Sequence, residues 1–352
     1  MSWLTDIARP EIQALKAYEH ASWEPGLVRL HANENPWRAP GDDSEEGLNR
    51  YPEPHPHALM DRLADHYGVP RGTLLAGRGS DEAIDLLIRC YCRAGADAVL
   101  VTPPTFGMYS VAANIQGAKV IGVPLQADAG FDVDFAALRA ALTDAVRLVF
   151  LCSPNNPTGN LVPAGEVLRL AAELAGRALV VIDEAYVEFA GDDASLAPQV
   201  ARHPGLVVLR TLSKAFALAG ARCGSLIAQP ELVQLLRRII QPYAVTQLSI
   251  EAVFRALQPQ NAATAQARVE QLVGERVRLA DGLARCATVR RVWPSAANFL
   301  LVEFADAGAA LERTHAAGLL VRDFRRTPGL ERALRISVGT PEQNDRLLAS
   351  LA

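Results

Sequence analysis

The sequence predicts an α/β fold: a mostly parallel central sheet with helices on both faces, followed by a smaller α+β C-terminal domain. Three observations carry this. Short β-branched runs alternate with helical patterns through the middle of the chain. Those runs are near-continuously apolar, the pattern of strands buried on both faces. From about residue 230 the texture changes to Leu-, Ala- and Arg-rich segments with helical periodicity.

The elements follow in order. Residues 1–40 are loop-rich, with many Pro, Asn and His, and too irregular for a core of their own. They predict an N-terminal arm packed on the rest of the fold. Residues 41–245 form the predicted large domain. "GRGSDEAI" (Gly77–Ile84) reads as a loop entering a helix, and "DAVLVTPP", "AKVIGVPL", "VRLVFLCSP", "ALVVIDEAY" and "GLVVLRTLS" as strands. "SDEAIDLLIRCYCR" and "AGEVLRLAAELAG" are helices between them. Residues 246–352 form the predicted small domain, joined by a long helix, with strands at "NFLLVEF", "GLLVRDF" and "ALRISVGT".

The totals exclude several classes of function. At 352 residues the chain has room for one large domain and a smaller one. A net charge of −4 and no basic block argue against a nucleic-acid partner. The longest apolar runs are far too short to span a bilayer. The start has an early Asp and no apolar core of a secretory signal. Five cysteines, odd in number and without metal-site spacing, read as reduced thiols, which predicts a cytoplasmic protein. His55 and His57 are separated by proline with no third ligand nearby, so no metal site is expected.

Four segments carry chemistry. "SPNNPTGN" (Ser153–Asn160) follows a strand as a rigid turn whose Asn side chains offer donors and acceptors. Alone it is an ordinary strand-to-helix turn. "VVIDEAYVEF" ends a strand in Asp183-Glu184, delivering carboxylates to the mouth of the sheet, where either could pair with a cationic group or simply cap a helix. "RTLSKAFALAGARCG" (Arg210–Gly224) holds one of only three lysines in a chain whose basic charge is otherwise arginine. Arginine stays protonated at any working pH, whereas Lys214 can lose its proton and attack a carbonyl. Thr211, Ser213 and Arg222 around it make a phosphate cradle, and the helix N-terminus in "GRGSDEAI" is a second anion site. An amine nucleophile, a carboxylate, an amide and phosphate-binding groups at strand ends are what pyridoxal phosphate requires.

On "HANENPW", "RYPEPH", "GSDEAI", "PPTFGMYS", "SPNNPTG", "DEAYVEF", the Lys214 segment, "NFLLVEF", "GLLVRDF" and "LRISVGT", in that order, the chain resembles the fold-type I pyridoxal-phosphate aminotransferases. Within them it is most similar to the histidinol-phosphate aminotransferase subfamily. The resemblance covers nearly the whole length. It implies an enzyme of histidine biosynthesis that exchanges an amino group between histidinol phosphate and 2-oxoglutarate, with pyridoxal 5'-phosphate as cofactor. It also implies roles. Lys214 binds the cofactor aldehyde and then moves the proton. Asp183 pairs with the ring nitrogen, Asn156 and Tyr186 with the phenolate oxygen, and Phe106 stacks on the ring. Ser80, Asp81, Thr211, Ser213 and Arg222 hold the phosphate, joined by Tyr51 from the partner of a homodimer. Tyr18, Asn33, Arg322 and Arg335 meet the substrate.

The chain departs from the family's usual pattern at Ala217, where Gly is common, at Ala221 and Ser225, where larger residues are common, and at Phe106, where Tyr is common. Other activities on the same fold are an aromatic amino-acid transaminase and a threonine-phosphate decarboxylase. A regulator that binds the cofactor without turnover fits less well, since no appended helix-turn-helix precedes "HANENP".

Overall fold

The computed structural model of the chain describes residues 2–20, 24 and 26–352. Its larger sheet has seven strands in the order β1-β7-β6-β5-β4-β2-β3. They are β1 (Leu74–Gly77), β2 (Ala98–Val101), β3 (Lys119–Gly122), β4 (Val146–Cys152), β5 (Leu179–Asp183), β6 (Leu206–Thr211) and β7 (Gly224–Ile227). Strands β3, β2, β4, β5 and β6 pair in parallel. Only β7 runs against its neighbours β1 and β6. The five apolar runs read from the sequence are β2 to β6. Strands β1 and β7 hold a single β-branched residue between them, Ile227, and so give no such run.

Two short helices, α1 (Trp3–Asp6) and α2 (Pro10–Gln13), open the chain. The larger sheet is then covered by α3 (His57–Tyr67), α4 (Ser80–Tyr91), α5 (Met108–Gln116), α6 (Phe135–Ala140), α7 (Ala164–Glu173), α8 (Pro230–Leu236) and α9 (Gln247–Ala256). Successive strand residues point to opposite faces, so each strand feeds two cores. Val180, Ile182 and Val208 pack with Leu59 and Leu63 of α3, Leu170 of α7 and Val253 of α9. Val181, Val207 and Leu209 pack with Ile84 and Leu87 of α4, Tyr109 of α5 and Leu232 of α8. Strands β2, β4, β5 and β6 are therefore buried on both faces, which is why they read as continuous apolar runs, whereas β3 at the sheet edge is only partly buried.

Leu4 and Ala8 are buried in the second of these cores, and the Tyr91 hydroxyl donates to the Leu4 carbonyl at 3.0 Å. The start of the arm is thus anchored to the helices of the larger sheet. Burial of a leucine explains the anchoring: an isolated turn such as α1 gains stability only from a face to pack on.

A second sheet of four antiparallel strands has the order β10-β11-β9-β8. It consists of β8 (Val289–Val292), β9 (Phe299–Phe304), β10 (Arg322–Asp323) and β11 (Ala333–Ser337). It is backed by α10 (Pro259–Ala284), α11 (Ala307–Ala316) and α12 (Pro341–Leu351). Leu279 and Leu283 of α10 meet Val302, Phe304 and Leu347 in its core. Thr340 and Gln343 cap α12 reciprocally, satisfying two backbone donors that the helix start leaves open. The strand read in "GLLVRDF" is short, with only Arg322 and Asp323 paired. Among the described residues no helix is long and apolar enough to cross a membrane.

Candidate active site

The site forms where the parallel strands end. The two-residue period decides which side chains enter it. Asp183 continues the parity of Leu179 and Val181, and Thr211 that of Val207 and Leu209, so both emerge on the α4–α5 face. Glu184 and Arg210 have the opposite parity and emerge behind the sheet. Cys152, at the end of β4, joins Asp183 on the α4–α5 face.

A cavity of about 130 Å³ gathers Ser80, Asp81, Phe106, Asn156, Asp183, Tyr186, Thr211, Ser213, Lys214 and Arg222. Ten residues named from the sequence thus share one hollow, drawn from five separate strand ends and loops. Gly79, Cys152, Ala185 and Ala219 complete the lining, without having stood out in the sequence.

One end of the cavity is an anion cradle. Helix α4 begins at Ser80 after Gly79, with no side chain capping its first turn. Its leading N–H groups are open to a ligand and carry the positive end of the helix dipole. Arg222 reaches across to Asp81 at 3.2 Å and lies 3.5 Å from the Ser213 hydroxyl, which accepts from Thr211 at 2.9 Å. Two glycines make the approach possible. Gly79 has φ +83°, and a Cβ there would sit 2.8 Å from the Arg222 guanidinium. A Cβ on Gly224 would lie 2.5 Å from the Gly79 carbonyl carbon, so β7 can pass beside the loop only as glycine.

At the other end lies Asp183, fully enclosed by protein. Its Oδ2 accepts from the Tyr109 hydroxyl at 2.8 Å and its Oδ1 from the Ala185 N–H at 3.1 Å. Burial pushes its pKa up to about 6, against the pull of those two donors. A buried carboxylate with spare acceptor capacity is suited to a cationic N–H. Burial likewise holds the Tyr186 hydroxyl well above the ordinary tyrosine range, so it stays a neutral donor.

Lys214 lies between these ends, its Nζ 5.5 Å from the centre of the Tyr186 ring. It opens to solvent through the cavity mouth, yet the surrounding protein atoms, and then Arg335, lower its pKa below that of a free lysine. A lowered pKa raises the fraction of free amine. The loop carrying it is bent by Ala217 and Arg222, both in the left-handed region at φ 55° and 51°. Ala217 stands where the family usually has Gly, and this backbone conformation is the reason Gly suits the position.

Above the cavity, Arg335 of β11 reaches down from the small sheet and donates to the Asn156 side-chain oxygen. Asn156 in turn lies 3.4 Å from the Tyr186 hydroxyl. Arg335 sits 5.1 Å over the Phe299 ring, and its Nε is buried without a partner among the described residues. An arginine whose guanidinium is only partly satisfied is a receptor for an anion. Arg322 is the register partner of Arg335 across β10 and β11, and is exposed outside the cavity lining.

Three expected residues lie elsewhere. Tyr51 stacks on Tyr243 at 4.6 Å and, with Asn33, lines a separate hollow of about 600 Å³. Tyr18 is 70% exposed, its ring edge-on to His20 at 5.4 Å. Within one chain, then, Tyr18, Asn33 and Tyr51 do not join Lys214. Among the described residues no group of His, Cys, Asp and Glu is placed to hold a metal ion.

An amine, a buried carboxylate and an anion cradle at the strand ends suit one class of protein, an α/β enzyme acting on amines and carbonyls through a phosphorylated cofactor. The comparisons narrow the class. Residues 29–351 match the model of the aminotransferase class I and II family, and the chain belongs to that family. It is 51% identical over 350 residues to a histidinol-phosphate aminotransferase of Stenotrophomonas maltophilia, covering 98% of this chain and 96% of that protein. A histidinol-phosphate aminotransferase from Sinorhizobium meliloti, solved in complex with pyridoxal-5'-phosphate, superposes with a TM-score of 0.77 at 28% identity, over 86% of this chain and 82% of that one. An L-threonine-O-3-phosphate decarboxylase from Porphyromonas gingivalis superposes with a TM-score of 0.73 at 26% identity, over 86% of this chain and 92% of that one.

Proposed function

We propose that the chain is a pyridoxal-5'-phosphate-dependent aminotransferase that exchanges an amino group between histidinol phosphate and 2-oxoglutarate, giving imidazole acetol phosphate and glutamate. The observation that carries the reading is the single cavity that joins Lys214, Asp183 and the Gly79–Ser80 cradle, with Arg335 bonded to Asn156 of its lining. The high identity to histidinol-phosphate aminotransferases over nearly the full chain supports the substrate.

The residues fit the cofactor. Bound there, it supplies an aldehyde that takes the amino group and a ring that withdraws the electron pair from the substrate α-carbon. Lys214 is assigned two tasks: binding the aldehyde carbon, and carrying the proton to and from the α-carbon as the free amine its lowered pKa favours. Asp183 holds a proton on the ring nitrogen. Asn156 and Tyr186 donate to the phenolate oxygen, and Phe106 covers the ring face. The α4 N-terminus, Thr211, Ser213 and Arg222 hold the phosphate.

The substrate must be anionic at its far end in both half-reactions, as a phosphate or as a carboxylate. Arg335 and Arg322 accept either through paired N–H donors. Entry of that anion would compete with the Asn156 oxygen for Arg335, so ligand binding reaches the cofactor's contacts directly.

Tyr18, Asn33 and Tyr51 are assigned to the site of a second copy in a homodimer. Val28, Leu30 and Trp37, on the same arm, are 82%, 89% and 77% exposed, an apolar surface that a partner would cover. Mixing inactive Tyr51→Ala chains with inactive Lys214→Arg chains should then restore activity, because each hybrid dimer rebuilds one intact site. No restoration after subunit exchange would argue for sites within single chains. A cytoplasmic location is part of the same proposal, in keeping with a biosynthetic role.

The test of the reaction is a half-reaction without oxo acid. Histidinol phosphate should convert the cofactor stoichiometrically to its amino form at concentrations where phenylalanine and tyrosine do little. Conversion by the aromatic amino acids alone would make it an aromatic transaminase. Release of CO₂ from threonine phosphate would make it a decarboxylase.

A further inference from the structure

We propose that Tyr109, unmarked by any motif role, is a positioning residue that holds Asp183 toward the ring nitrogen of the cofactor and seats Phe106 against the ring face. The inference rests on the cofactor reading above and adds a residue to it. Tyr109 is fully buried on α5. Its ring lies parallel to Phe150 of β4 at 4.9 Å, with 9° between the planes. Its edge meets Phe106 at 5.6 Å and 83°. With the ring held in this way, the hydroxyl donates to Asp183 Oδ2 at 2.8 Å, with the Cys152 thiol as a second neighbour.

A purely apolar packing role would be served by phenylalanine. The hydroxyl must instead be desolvated, at a cost that only a partner offsets. The charged and titratable groups facing Asp183 come from every side. Asp81 from the α4 start opposes its ionisation, and Lys214 from the loop after β6 favours it. The Cys152 thiol of β4 and the Tyr186 hydroxyl beyond β5 both sense its charge. Among these, Tyr109 is the neutral donor aimed at the carboxylate, kept protonated because burial and Asp183 hold its own pKa far above the ordinary range. It leaves Asp183 with lone pairs for the ring N–H while making the carboxylate less basic. Without that bond Asp183 competes better for the shared proton, and the ring loses positive charge.

The test uses holoenzyme loaded with cofactor carrying ¹⁵N in its ring, read by ¹⁵N NMR. In Tyr109→Phe the ring-nitrogen resonance should move toward the unprotonated pyridine position. The kcat should fall roughly tenfold, the loss expected from removing one hydrogen bond to a charged group, with KM for the amino donor changed less than about twofold. Should Tyr109→Phe fail to fold, 3-fluorotyrosine placed at 109 retains the shape with a more acidic hydroxyl, and the resonance should move the opposite way. An unmoved resonance in the folded Phe variant or in the fluorotyrosine protein overturns the inference. A wild-type chain that takes up no cofactor would instead overturn the reading beneath it.

Discussion

Asp183 and Glu184 are neighbours at the end of one strand, both buried carboxylates, yet they belong to different regions with different work. Asp183 enters the cavity on the α4–α5 face, where two protein donors leave its acceptor capacity incomplete. Glu184 turns to the α3–α7 face. There it accepts from the Ser195 hydroxyl at 2.6 Å and the Leu196 N–H at 2.6 Å, with Arg210 at 3.6 Å. Arg210 also donates to Glu188 at 2.8 Å and lies 4.7 Å over the Tyr67 ring. A cavity of about 260 Å³ lies beside this cluster, and the Arg210 Nε and one Glu188 oxygen are buried without a partner among the described residues. The difference teaches that burial of charge alone does not mark a functional site. What separates the two carboxylates is the cation: Glu184 has Arg210 beside it, whereas Asp183 opens on the cavity with no salt bridge among the described residues.

The comparison can be broken or sharpened by substitution. The largest effect belongs to the cavity face. Lys214→Arg should abolish transamination, by on the order of 10⁴-fold or more, while leaving Tm nearly unchanged, because arginine stays charged and cannot act as the amine. Appreciable turnover in that variant would remove the lysine from the account. Next, Arg335→Ala should raise KM for both the amino donor and 2-oxoglutarate, each about a hundredfold, as expected from losing a charge-assisted anion contact. If only one of the two substrates suffered, the shared anion site would be wrong.

The back face should answer in stability. Burial lifts the Glu184 pKa to about 7 from an ordinary 4.5. A raised folded pKa means its contribution is full below about pH 4.5 and is lost as pH rises through about 7. Glutamine cannot titrate, so Glu184→Gln should gain on wild type over that window, by a few degrees in Tm. A Tm difference that stays flat, or moves the other way between pH 4.5 and 7, would contradict the direction assigned to Glu184. The smallest effect lies in the loop that carries the lysine. Ala217 holds φ 55°, so Ala217→Gly should stabilise by about 0.5–1 kcal/mol, measured by denaturant unfolding. A loss of stability would mean that the Cβ packs better than the backbone strain costs.

Much of the site was legible because its chemistry needs rare residue types. A lone lysine, an Asn-rich turn and an acidic strand end are visible in one dimension, and the structure puts them in one cavity. Position relative to the sheet was not legible. Nothing local in "VVIDEAY" says whether Asp183 or Glu184 faces the cofactor, since that depends on which helices cover which parity. Tyr109 gave no signal because a tyrosine in an apolar helix reads as core, and its bond to Asp183 spans 74 positions. Gly224 matters only through a loop that arrives from β1, in a strand with one β-branched residue, Ile227. Tyr18, Asn33 and Tyr51 do not line the cavity within one chain.

The most direct test of the central claim is to measure the single-turnover rate of Asp183→Asn beside that of Glu184→Gln, both loaded with cofactor. The account predicts a fall of roughly 10³-fold for the first, where the carboxylate holds the ring proton, and less than about tenfold for the second. Equal losses, or a larger loss at Glu184, would contradict the division of the strand end into a working face and a supporting one.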